Sequence, residues 1–148
     1  MEYSAISPNV QLNGLREKTE FHSIPTVTDY FTPTEIKLHK QSRILEVSFH
    51  DGNTFELSCE YLRVYSPSAE VQGHGPGQQV LQYGKERVNV WAIEPVGNYA
   101  VVLKFDDGHD TGIYSWELLY ELGANKDRYW QSYLDRLQNA GYQRREST

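Results

Sequence analysis

The stretch Val47-Ser48-Phe49-His50-Asp51-Gly52 leads to Leu57-Ser58-Cys59-Glu60-Tyr61-Leu62. It is matched further on by Leu103-Lys104-Phe105-Asp106-Asp107-Gly108, which leads to Tyr114-Ser115-Trp116-Glu117-Leu118-Leu119. Each copy reads as a strand, a tight Asp-Gly turn, a second strand and a serine-capped helix. Alternating apolar residues suit a half-buried strand, glycine accepts the positive φ of a tight turn, and a serine oxygen accepts from the first free helical N–H groups. The second copy is one residue longer between turn and cap, within His109-Asp110-Thr111-Gly112. Internal duplication explains this match; so does the simple preference of hairpins for Asp-Gly, and both readings stay open.

Outward from these units the same periods continue. Ile36 and Leu38 alternate with polar residues after Thr34, and a polar turn at Lys40 to Ser42 separates them from Ile44, Val47 and Phe49. Ser66 to Gln79, with Pro67, Gly73, Gly75, Pro76 and Gly77, reads as the main internal loop. Val88, Val90 and Ala92 alternate as a strand that Pro95 ends, and Gly97-Asn98 turns the chain towards Ala100 to Phe105. The helix after Ser115 is expected to stop at Gly123. A last amphipathic helix, about Asn125 to Ala140, carries Tyr129, Tyr133 and Leu137 on one stripe beside Trp130 and Leu134. If the Trp130 ring is fully buried, Trp130→Ala costs about 3 to 5 kcal/mol. The expected fold is α+β and two-layered: one mainly antiparallel sheet with helices on one face and the amphipathic C-terminal helix packed against it.

Three segments follow: residues 1–33 as a flexible N-terminal arm, 34–122 as the folded domain, and 123–148 as C-terminal helix and tail. The arm shows no sustained period, and disorder is expected up to about Thr19. Phe21, Ile24, Val27, Tyr30 and Phe31 form the alternative, an extended segment docked on the body.

At 148 residues the chain suits one core, and eleven Tyr, five Phe and three Trp supply aromatics for both core and surface. A net charge of −6, with scattered Lys and Arg, argues against nucleic acid as a partner. The single cysteine, Cys59, excludes an internal disulfide and fits a reducing compartment, so the chain reads as cytoplasmic. No apolar run approaches the roughly 18 residues of a membrane helix, and Met1 to Val10 lacks the pattern of a signal peptide.

Several motifs in order, Ser66-Pro67-Ser68-Ala69-Glu70-Val71, Gly73-His74-Gly75, Ile93-Glu94-Pro95-Val96-Gly97-Asn98-Tyr99 and Asp107 to Trp116, carry a family resemblance. The chain resembles, over about Thr34 to Leu122, the bacterial family related to the N-terminal domain of gamma-butyrobetaine hydroxylase. The resemblance implies a two-layer α+β domain. Such domains stand alone, precede the catalytic domain of gamma-butyrobetaine and trimethyllysine dioxygenases, or are fused to iron–sulfur carrier ATPases of the Mrp type. In the eukaryotic dioxygenase, three cysteines and a histidine of this domain hold a structural zinc. The matching positions here are Ser66, Ser68, Val71 and His109. Without thiolates no closed tetrahedral zinc cage forms, so no structural Cys-type zinc is expected.

The resemblance also implies that the loop end near Val71 approaches the turn carrying His109. His74 and His109, with Glu70 and Asp110 as oxygen donors and Asp107 nearby, are then candidate ligands for a divalent metal, iron or zinc. Equally, Gly73-His74-Gly75 serves as a plain turn and His109 as a hydrogen-bonding side chain. Cys59, among aromatic neighbours, reads as a small buried hydrophobe.

Catalytic signatures are missing. None of His22, His39, His50, His74 and His109 begins a His-x-carboxylate motif, Gly84-Lys85 follows the glycine-rich loop at the wrong spacing for a P-loop, and there is no Gly-x-Ser-x-Gly. No nucleophile and base can be paired from sequence alone. The leading expectation is therefore a non-catalytic binding or accessory domain, a protein-interaction module associated with iron or iron–sulfur cofactor machinery. Such a module should expose an aromatic or apolar patch to a protein partner. The alternatives are a metal-binding domain using His74 and His109, and a small-molecule enzyme with a deep pocket.

Overall fold

The computed structural model describes residues 3–6 and 31–145. The elements run β1 (Tyr3–Ile6), β2 (Pro33–His39), β3 (Ile44–Phe49), β4 (Thr54–Ser58), α1 (Cys59–Val64), α2 (Ala69–Gln72), β5 (Val90–Val96), β6 (Ala100–Phe105), β7 (Ile113–Ser115), α3 (Trp116–Ala124) and α4 (Lys126–Asn139). All strand pairs are antiparallel, and the class is α+β as the patterns predict. The strands form two sheets rather than one, ordered β1-β2-β3-β4 and β5-β6-β7. Each unit makes its own hairpin and third strand, and the long excursion from α1 to β5 separates them.

The duplication is structural. In each unit a Phe-x-Asp-Gly turn closes with the same bonds: Gly52 N–H donates to Phe49 O at 3.1 Å, and Gly108 N–H to Phe105 O at 3.2 Å. Both glycines have φ near +90°, a region costly for other residues. Asp51 Oδ1 accepts from Asn53 N–H, and Asp107 Oδ1 from His109 N–H, so His109 stands where Asn53 stands in the first unit. Ser58 and Ser115, both extended, cap α1 and α3 by accepting from Tyr61 N–H and Leu118 N–H. Recurrent Asp-Gly preference alone does not produce matching third strands and capped helices.

The inward faces of both sheets meet in one core with α1 and α3, including Leu38, Val47, Leu103, Phe105, Leu62 and Leu119. All six residues of α1 are buried. A helix so short has little intrinsic stability, and its surroundings hold it. Cys59 is fully buried, with its thiol pushed up to about 11 by desolvation.

Four expectations are corrected. Tyr3–Ile6, assigned to the arm, forms a strand on the outer edge of β2, because an open edge offers unpaired N–H and C=O groups that need no sequence period to recruit a partner. Residues 7–30, with the rest of the arm and most of the docking cluster, lie outside the described residues; Phe31 does pack edge-to-face on Tyr120. The alternation Val88, Val90, Ala92 breaks at a bulge between Val90 and Ala92, which reverses the phase so that Ala92 pairs with the outward Lys104 instead of facing the core; Trp91, beside it, is 58% exposed. Pro95 lies inside β5 and does not end it, as this strand pairs only with β6. Gly123 does not terminate its helix: α3 continues to Ala124, and a Cβ at 123 would sit 2.3 Å from Phe55 Cγ. Glycine is there to let α3 approach β4.

In α4, Tyr133 and Leu137 are buried against Val64, and Tyr133 donates to Gln82 O at 2.8 Å. Trp130 is only half-buried, edge-on to Tyr61 with the Arg144 guanidinium over its face. Trp130→Ala is therefore expected to cost about 2 kcal/mol, less than a fully buried ring. Gly123→Ala is expected to cost about 1 to 3 kcal/mol by overpacking against Phe55. Urea unfolding midpoints check both, and a neutral Gly123→Ala would show that α3 and β4 can move apart freely.

Candidate functional site

The Asp-Gly turn of each unit is held by the helix of the other. Arg63, at the end of α1, donates from Nε to Asp107 Oδ2 at 2.9 Å, and Tyr120, at the equivalent position after its cap, donates its hydroxyl to Asp51. Two buried tyrosines add to this exchange: Tyr61 donates to Leu122 O and Tyr114 to Leu62 O, each at 2.6 Å. Lys85 Nζ joins Asp107 at 2.7 Å. Burial alone would raise the Asp107 pKa, but the Lys85 ammonium, the His109 N–H and the Arg63 guanidinium outweigh it and hold the carboxyl at about 2.

Onto this turn folds the loop after α1. The Ser68 side chain accepts from Glu70 N–H and starts α2, a single turn inside the stretch read as irregular. Ser66, fully buried, hydrogen-bonds His109 Nε2 at 2.8 Å; Ser68 bonds Thr111 at 2.8 Å; Thr111 donates to Glu70 at 2.7 Å. Ser66 and Ser68 thus converge on the turn of His109 and Thr111, and hydroxyl and imidazole hydrogen bonds join the two segments. Gly112 lies so close that a Cβ there would be 2.6 Å from Ser66 Oγ.

Of the four candidate metal ligands, two come together. Glu70 Oε2 is 3.6 Å from His109 Nδ1, an atom that makes no hydrogen bond. His74 is exposed on the loop beyond α2, and Asp110 is exposed with its charge acting on Lys104. Among the described residues no group of three or more His, Cys, Asp or Glu side chains is placed to hold a metal ion. His109 is buried, and desolvation together with the nearby Arg63 charge lowers its pKa, so the ring is neutral at pH 7.

Sequence reasoning missed the alignment of Ser66, His109 and Glu70, which has the order of a nucleophile, a base and an acid. Ser66 Oγ is sealed beneath Gly112 and already accepts from Ser68 N–H, which leaves an acyl substrate no approach. The arrangement is a packing junction. Its legible signal was the duplication carried five residues past each cap, where Arg63 matches Tyr120.

Asp107→Asn is expected to lower stability by about 3 kcal/mol at pH 7, since it leaves the Arg63 charge nearly buried and unpaired. Because the folded Asp107 pKa lies below its ordinary 3.8, its contribution is complete above about pH 4 and is lost as pH falls towards 2. His109, lowered as well, adds stability that disappears as pH falls below about 6.5. Urea titrations between pH 2 and 7 should show a shallower loss below pH 4 in Asp107→Asn than in the wild type. With the junction closed by its own hydrogen bonds, EDTA is expected to leave the thermal midpoint unchanged.

Residues 36–120 match the family model described as gamma-butyrobetaine hydroxylase-like, N-terminal. No curated protein matches the chain. Two proteins solved in solution by NMR are 54% and 49% identical, with TM-scores of 0.68 and 0.67; the alignments cover 82% and 78% of this chain and 91% and 93% of theirs. A crystal structure of a protein of unknown function from Acidithiobacillus ferrooxidans, of the DUF971 family, is 44% identical with a TM-score of 0.55, covering 65% of this chain and 97% of its own. With its two Asp-Gly units inside the matched region, the chain belongs to the family of gamma-butyrobetaine hydroxylase-like N-terminal domains.

Proposed function

We propose that this chain is a non-catalytic binding module that docks a protein partner through the outer face of β5-β6-β7. The observation that carries the reading is Trp91. Lys104 alternates with the core residues Leu103 and Phe105 and so points outward, and its Nζ lies 5.6 Å from the Trp91 ring. Across the strands Glu94, Val102 and Ile113 share one row, so a strip runs from Trp91 to Ile113, which is 50% exposed. Lys104 and Glu94 pair with each other at 2.8 Å and neutralise the middle of the strip. A large aromatic beside a neutralised apolar row is the usual chemistry of an interface anchor. The partner that fits is a protein with a complementary apolar surface. The family's place before hydroxylase domains points to iron or iron–sulfur cofactor machinery as its source.

A photo-crosslinking residue at position 91 should capture one defined partner in cells, with the crosslink lost in Ile113→Ser and unaffected at Gln131 on the far α4 surface. Trp91→Ala should weaken binding of that purified partner at least tenfold without changing the thermal midpoint. Equal crosslinking from positions 91 and 131 would refute the reading.

A further inference from the structure

A second feature lies away from that face. A cavity of about 440 Å³ opens between residues 83–87, the buried stripe of α4 and the chain that follows α4. Its size is in the range that holds small molecules. Tyr133 and Leu137 line it, and the stacked rings of Tyr83 and Tyr142, 4.0 Å apart and 12° from parallel, also border it.

The cavity is built from fixed parts. Gly141, at φ +80°, turns the chain after α4, and Tyr142 N–H returns to Leu137 O at 2.9 Å. Arg144 forks onto the buried carboxylate of Glu60, and Arg145 N–H donates to Glu86. These three attachments hold the wall in place before any ligand arrives, so little ordering remains to oppose binding.

Its charge is opposite to that of the chain. Three of the fourteen cationic side chains, Arg87, Arg144 and Arg145, line this one cavity against a single lining carboxylate, Glu86, in a protein of net charge −6. Arg144 is committed to Glu60. Arg87 and Arg145 are exposed, and neither guanidinium forms an ion pair among the described residues. Arg145 shares its charge with Glu86 at the cavity wall, and Arg87 adds a second planar fork; such forks match the oxygens of a carboxylate or phosphate, and the paired phenol rings offer a flat surface for a ring.

We propose that this cavity binds a small planar anion, an aromatic ring bearing one carboxylate or phosphate group. Arg87 and Arg145 take the oxygens, and the ring lies against Tyr142 and Leu137. The site is separate from the outer face of β5-β6-β7, and its test is independent of the docking reading.

The test is titration of the ¹⁵N-labelled full chain with benzoate and with phenyl phosphate, each against its neutral counterpart, benzamide or phenol. The expected result is saturable shifts at Tyr83, Arg87 and Tyr142 with at least one anion, at least tenfold tighter than with its neutral counterpart. Binding by benzoate assigns a carboxylate and binding by phenyl phosphate a phosphate. The double variant Arg87→Ala and Arg145→Ala should weaken binding at least tenfold. Both residues are exposed, and the pair Arg87→Lys and Arg145→Lys, which keeps the charge but not the planar fork, should recover only part of the affinity lost in the double alanine variant; this separates loss of the cations from loss of the fold. No saturable shift with either anion, equal binding of the neutral compounds, or unchanged binding in the double alanine variant would overturn the proposal.

Discussion

The rest of this structure depends on an exchange: the helix of each repeat unit grips the Asp-Gly turn of the other. Arg63 reaches Asp107 and Tyr120 reaches Asp51 from equivalent helical positions, and each Asp already organises its own turn by accepting a backbone N–H. Either unit alone is a small sheet with one helix and exposes its apolar face. Joined, the two share one core, and the polar ends of that core are tied by the exchanged contacts. A reciprocal contact of this kind is what two similar units related by an approximate two-fold would make.

The two ends of the exchange are unequal, and the difference creates the candidate site. Asp51 meets a hydroxyl and an amide, with Tyr120 and Asn53 both close to solvent. Asp107 meets two cations, one of them nearly buried, and the loop 66–72 bonds His109 and Thr111 of the same turn. The longer turn carries His109 and Thr111, which meet Ser66, Ser68 and Glu70 of the loop. Where the resemblance places thiolates, this chain has hydroxyls and an apolar side chain, and hydrogen bonds through Ser66, Ser68 and Thr111 join the loop to the turn, with His109 Nδ1 left unbonded. Ser66 and Ser68 accept N–H groups of their own loop while bonding the turn, so each hydroxyl serves both segments.

Aromatic residues divide between three tasks. Tyr61 and Tyr114 are buried and use their hydroxyls to satisfy helix carbonyls across the core. Phe31, Phe49, Phe55 and Tyr120 form an edge-to-face group beneath the first turn. Trp91, Tyr83, Tyr99 and Tyr142 remain exposed, Trp91 with the Lys104 ammonium over its ring.

The sequence by itself determined the local structure: Asp51-Gly52 and Asp107-Gly108 set two turns, Ser58 and Ser115 set two helix starts, and the spacing of Tyr129, Tyr133 and Leu137 set the buried stripe of α4. These signals are local, since turn φ, capping and side-chain period act over a few residues. The motifs around Ser66 and His109 were also enough to identify the family and to rule out a thiolate zinc cage. Only the tertiary structure decided the rest. The division into two sheets, the strand at Tyr3–Ile6 and the bulge at Trp91 depend on which edges meet, and edge pairing leaves no period in a short segment. Gly123 resembled a helix stop because its reason, the ring of Phe55, is far away in sequence. Arg63 with Asp107, Ser66 with His109, and the arginines gathered around the cavity are contacts between distant residues, and their energies come from burial and charge neighbours that exist only once the chain has folded.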